Sequence, residues 1–177
     1  MPTTVTKIKN TYRHYLWQKF AREKDTSFSF LSHLKEDGQG GLVFSDLDYS
    51  SPIKSCWPAG EHLIRLLSFI GQAGEELIQD AQKQETVKGL LSHWLSQDYI
   101  CPNWWHNDIG VPMRLGQIAI LCNEFLPNEI KPLLFSRIKR GTYLSLPNLK
   151  AGFSNIPEEE KPPLRLDRCQ LSLGHDL

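Results

Sequence analysis

The stretch PAGEHLIRLLSFIGQ, residues 58–72, decides the fold class. Leu63, Leu66, Leu67 and Ile70 recur at the three- and four-residue steps of one helical face. Pro58 opens the segment, in a first-turn position where a missing N–H and a fixed φ do no harm. Working outward, the same period returns on both sides. Upstream, residues 5–22 carry Ile8, Tyr12, Tyr15, Leu16 and Phe20 at helical spacing and predict an amphipathic helix. Downstream, residues 75–97 predict a helix with Leu77, Ala81, Val87, Leu90, Leu91, Trp94 and Leu95 inward. Residues 112–125 are strongly apolar through Met113, Leu115, Ile118, Ala119, Leu121 and Cys122, and residues 127–140 add a shorter helix. Between the first two helices, KEDGQGGLVFSDLDYSSP reads as a long loop punctuated by glycines and Ser-Pro. No β-alternation is expected up to Arg140. The pattern predicts an all-α fold of antiparallel helix pairs, followed by an irregular tail over residues 141–177 with many turn residues and no sustained period.

Composition narrows the function classes. Twenty basic and 20 acidic residues in 177 give a formal net charge of zero. That argues against an electrostatic binder of nucleic acid or of a membrane surface, although a local basic patch can still meet a polyanionic substrate. No apolar run is long enough to span a bilayer. MPTTVTKIKNTYRHYLWQ has no hydrophobic segment followed by small residues, so no signal peptide is visible. Cys56, Cys101, Cys122 and Cys169 form no CxxC pair and are expected as small hydrophobes rather than a zinc site or a disulfide scaffold. GxSxG, HExxH and P-loop motifs are missing, and the residues assign neither a catalytic pair nor a metal site. His62, in GEHLIRLL, is expected as a satisfied, partly buried histidine.

The most unusual local chemistry is NWWHNDIGVP, residues 103–112. Adjacent residues of a helix point about 100° apart, so Trp104 and Trp105 cannot share one helical face. Cys-Pro just before them favours an extended or turn backbone. At a loop-to-helix junction two indoles can form a flat apolar wall, which suits the C–H face of a pyranose ring. Asn103, His106, Asn107 and Asp108 stand beside it as partners for hydroxyls. Packing at the helix junction explains the indoles equally well, and spacing alone leaves the two readings level. For Asn107 or Asp108 a helix N-cap role is as reasonable as ligand binding.

Two segments together resemble the family 8 polysaccharide lyases, which include hyaluronate, chondroitin and xanthan lyases. One is FSDLDYSSPIKSCWPAGEHLIRLL, with Asp46, Asp48, Tyr49, Trp57, His62 and Arg65 in the family's order; the other is NWWHNDIGVPMRLGQIAIL. The resemblance covers residues 5–140. It implies a partial α/α toroid of helical hairpins, a cleft for uronic-acid polysaccharides of the chondroitin, hyaluronan or xanthan type, and β-elimination without a cofactor. It further implies export of the full-length enzyme, and substrate contacts at Asn103, Trp104 and Trp105. The chemistry requires a neutralised carboxylate, a base for the C5 proton and a proton for the leaving oxygen. The family's catalytic asparagine, histidine and tyrosine lie in later motifs, and Tyr99 and His106 are not their counterparts. Two further readings compete: a non-catalytic carbohydrate-binding helical module and a helical protein-docking module.

The tail carries one more expectation. RLDRCQLSLGHDL, residues 165–177, can be encoded so that reading one base later gives Asp-Trp-Thr-Gly-Ala-Asn, the family's asparagine motif. The sequence therefore predicts a shifted reading frame arising between about Arg140 and Pro157. Residues 1–140 would then be a fragment of the lyase's toroid domain.

Overall fold

Helix α2, Pro58–Ala73, is the centre of the fold, which a computed structural model describes over residues 3–22 and 28–144. Its predicted stripe of Leu63, Leu66, Leu67 and Ile70 is buried, as are Ala59 and His62. Each such leucine or isoleucine contributes ~1.5–3 kcal/mol by leaving water. Around it stand α1 (Thr4–Arg22), α3 (Ala81–Gln97), α4 (Val111–Cys122) and α5 (Lys131–Ile138). The all-α reading holds.

Side-chain bonds fix the directions. The Trp94 indole N–H of α3 donates to the Ala59 carbonyl at 2.7 Å, and His62 Nε2 donates to the Leu90 carbonyl at 3.1 Å. Residue numbers rise along α2 as they fall along α3, so the two helices are antiparallel. The first turn of α2 and the turn that leads into α4 meet at one groove, described below. Helices α2 and α4 therefore run side by side in the same direction.

Three local readings need correction. On α1 the buried residues are Leu16, Trp17 and Phe20, whereas Ile8, Tyr12 and Tyr15 are exposed. The helix packs on α2 and α4 through its C-terminal part, and periodicity cannot say how far along a helix its partners reach. Residues 75–97 are not one helix. Gly74–Ile78 form a 3-10 turn, and α3 starts afresh at Ala81 because the Asp80 carboxylate caps it, accepting from Lys83 N–H at 3.0 Å. Ala81, in that first turn, is exposed.

The glycine-rich loop holds a small antiparallel hairpin, β1 (Leu34–Glu36) with β2 (Leu42–Phe44), in register Leu34↔Phe44 and Glu36↔Leu42. Three-residue strands are too short to show alternation, so the turn signal hid them. Gly38 and Gly40 take positive φ at the tip. The Asp37 carboxylate closes the turn, accepting from Gln39 N–H at 2.7 Å and Gly41 N–H at 2.8 Å. Those backbone donors, with His93, hold its carboxyl below the usual range. The hairpin packs on α3 and delivers Phe44 to the core.

Asp98 ends α3 in the left-handed conformation and receives Arg137 at 3.0 Å and Arg140, which ties the end of α5 back to α3. The helical path continues as a 3-10 turn over Lys139–Leu144, past the expected boundary at Arg140. Residues 145–177, with Cys169 and the predicted frame change, lie outside the described residues. Cys101 and Cys122 are buried as expected, but Cys56 is exposed on the loop before α2.

Candidate functional site

The first motif builds a frame. Arg65 donates two bonds of 2.8 Å to the Asp46 carboxylate and a longer one, 3.4 Å, to Glu61 one turn earlier on α2. Its guanidinium also lies 5.1 Å from the centre of the Phe44 ring. The Asp48 carboxylate holds the next turn through Ser50 N–H at 3.0 Å. Tyr49 accepts from Phe44 N–H at 3.1 Å and donates its O–H to His62 Nδ1 at 2.8 Å. His62 is wholly buried and bonded at both ring nitrogens, more enclosed than the sequence suggests. Burial, reinforced by the charge of His93, pushes its pKa down to about 3, so the ring is neutral. Beside it, His93 donates from Nδ1 to Asp37 at 2.7 Å and accepts at Nε2 from Tyr99 O–H at 3.0 Å. Burial raises the pKa of both Tyr49 and Tyr99 to about 12.

The second motif builds a groove. Asn103, not Asn107 or Asp108, starts the helical run: its side-chain oxygen accepts from Trp105 N–H at 3.0 Å. Trp104 and Trp105 are helical, rather than part of a loop. His106–Gly110 then form a single π-helical turn, with Val111 N–H bonded to the His106 carbonyl. Pro112 supplies a cause: it has no N–H to give the carbonyl four residues back, and its ring crowds that carbonyl. Asn107 pins the turn to the preceding loop by accepting from Cys101 N–H at 2.8 Å and donating to the Cys101 carbonyl at 2.7 Å.

The helical path separates the two indoles. Trp105 is 38% exposed and, with Asn103 and His106, lines a groove of about 660 Å³. Trp57, Glu61 and Ile64 of the α2 side and Arg114 of α4 complete its walls. Trp104 is half-buried and is not part of that lining, nor are Asn107 and Asp108. Burial holds the Asp108 carboxyl above its ordinary range.

The rings form a ladder across the groove. The centroid of Trp57 is 5.6 Å from His106, and His106 meets Trp105 edge-on at 5.3 Å. Arg114 continues it, with its guanidinium carbon 6.0 Å from the centre of the Trp105 ring. Gly110 makes this possible. A Cβ there would lie 2.8 Å from both the indole and the Arg114 guanidinium. Three buried nitrogens have no hydrogen-bond partner among the described residues: His106 Nδ1 and Arg114 Nη1 in this groove, and Arg137 Nε on α5. Burial, with Arg114 nearby, holds the His106 pKa below its ordinary value, and burial likewise lowers that of Arg114. Sequence reading had singled out neither Arg114 nor its seat on Gly110. The available signal was their spacing, one helical turn apart in a segment already read as helix.

Among the described residues no cluster of histidine, cysteine or carboxylate side chains has metal-binding geometry, and no helix is long and apolar enough to cross a membrane. Comparison with known proteins gives two findings. The family described as polysaccharide lyase family 8, N terminal alpha-helical domain, matches residues 4–143. Chondroitinase-AC of Pedobacter heparinus is 26% identical over 117 residues, covering 63% of this chain and 16% of that protein. No solved structure matches the chain. The family match takes in both motifs, the frame and the groove, and the chain belongs to polysaccharide lyase family 8, through its N-terminal α-helical domain.

Proposed function

We propose that this domain binds uronic-acid polysaccharide in the Asn103–Trp105 groove and carries no elimination chemistry of its own. The exposed Trp105 indole in a groove of about 660 Å³ carries the reading. An indole face and a sugar's C–H face are complementary apolar surfaces, and Asn103 adds an amide for the hydroxyls. The chondroitinase named above favours an acidic glycan of the chondroitin type over hyaluronan or xanthan. Trp104 belongs to the same reading as a neighbouring contact.

The absence of catalysis rests first on placement, since among the described residues no tyrosine lines the groove. A tyrosine that removes a C5 proton must reach its anion, and burial holds Tyr49 and Tyr99 in the opposite direction, at about 12. Within the wider family reading, the base and the catalytic asparagine belong to later segments of a full-length, exported enzyme. A shifted frame over residues 165–177 that encodes Asp-Trp-Thr-Gly-Ala-Asn would put the asparagine there. Sequencing the DNA downstream of the Arg140 codon tests it; a shifted frame without that motif ends the idea.

Titration of the purified chain with chondroitin oligosaccharides tests binding, and absorbance of unsaturated uronate tests turnover. Binding without turnover is expected, weakened at least tenfold in Trp105→Ala. Robust turnover refutes the non-catalytic part, and equal binding by Trp105→Ala refutes the groove.

A further inference from the structure

Arg114 is the feature of the groove that packing does not explain. It sits where two cavities meet: the 660 Å³ groove at Trp105, and a smaller one of about 320 Å³ lined by Lys19, Phe20, Leu67 and Gln117. Ile64 and Arg114 line both. Among the described residues no carboxylate lies within 4.0 Å of its guanidinium, and Nη1 is buried without an acceptor. A guanidinium drawn out of water normally gains a carboxylate or phosphate in exchange. Glu61, the acid in this groove, is engaged elsewhere. Its carboxylate accepts from Arg65 at 3.4 Å, on the guanidinium that also grips Asp46. Glu61 thus supports the Arg114 charge only from a distance and makes no contact with it within 4.0 Å.

We propose that Arg114 binds the carboxylate of a uronate residue seated against Trp105, and so makes the groove select acidic over neutral sugars. The inference rests on the proposed glycan-binding reading and adds the group that reads charge. The geometry is suited to it. A pyranose stacked on an indole carries its C5 carboxyl on the ring's rim. The Arg114 guanidinium carbon lies 6.0 Å from the centre of the same indole, within reach of a group carried on that rim. The planar fork matches a carboxylate in two parallel bonds, which a lysine ammonium does not offer. Nη1 packs into the space that Gly110, having no Cβ, leaves open.

The test uses the full chain and two probes, an unsulfated chondroitin hexasaccharide and the same oligosaccharide after reduction of its carboxyls to alcohols. The uronate is then the only anion in the first probe and no anion remains in the second. Wild type is expected to bind the acidic probe about tenfold more tightly, the scale of one charge-assisted hydrogen bond. In Arg114→Gln that ratio falls to about one, and in Arg114→Lys it is intermediate. Circular dichroism monitors folding, and if the glutamine variant does not fold, the lysine variant decides. An undiminished ratio in the folded variants overturns the inference. So does a wild type that binds both probes equally, while the glycan-binding reading survives. Failure of wild type to bind either probe removes both.

Discussion

The buried relay of His62, His93, Tyr49 and Tyr99 and the groove at Trp105 are built from the same materials and finished differently. Each sets histidine against aromatic rings. In the relay, His62 and His93 use all four ring nitrogens, at 2.8 and 3.1 Å and at 2.7 and 3.0 Å. In the groove, His106 Nδ1 and Arg114 Nη1 are buried with no partner among the described residues. A buried polar group without a partner costs about 1–3 kcal/mol. The relay therefore stabilises the fold, whereas the groove carries a cost that its own side chains do not offset.

Substitutions that respect this division sharpen it. The largest effect is expected from His62→Leu, which strands the Tyr49 hydroxyl and the Leu90 carbonyl and costs ~2–4 kcal/mol. The urea midpoint measures it, and a loss below about 1 kcal/mol breaks the comparison. Acid comes next. An unfolded histidine titrates near 6.5, whereas burial holds His62 near 3, so the unfolded chain binds more protons between those values. This contribution is complete above pH 6.5 and is lost as pH falls toward 3, amounting to ~2 kcal/mol by pH 5. The slope of stability against pH in wild type, flattened in His62→Leu, checks the assignment. Asp46→Asn removes the charge from the Arg65 pair, which is partly exposed, and costs ~1–2 kcal/mol by the same midpoint. Trp105→Ala stands last for stability, at less than ~1 kcal/mol, because the indole is 38% exposed. A melting shift as large as that of His62→Leu would make Trp105 a core residue and erase the contrast.

Much of the frame was legible in the sequence. The stripe on α2 and the buried residues Leu77, Val87, Leu90, Leu91, Trp94 and Leu95 follow from period alone, because burying one face is what makes those helices form. What period could not supply was reach and partners. It placed Ile8, Tyr12 and Tyr15 inward, although they are 65%, 43% and 46% exposed. It ran a helix through Asp80, where a side chain competing for backbone N–H starts a new one. It passed over the hairpin because each strand has only three residues.

The groove was half legible. Asn103 and Trp105 were found by composition, as aromatic and amide groups crowded at a helix junction. Family likeness supplied the pairing of the two motifs, and the structure supplies its meaning: Trp57 from one motif touches His106 from the other. Arg114 stayed hidden because an arginine on a helix is ordinary until its lack of a contacting carboxylate is visible, and a missing contact leaves no trace in a sequence.

The shared direction of α2 and α4 has an electrical consequence. Aligned peptide dipoles leave roughly half an elementary charge of positive sign at each helix N-terminus. Both starting turns border the same groove, so their fields add there, on the side where Arg114 stands. A chain with 20 acids and 20 bases can thus present an anion with a positive mouth built from backbone, one that its amino-acid tally does not reveal.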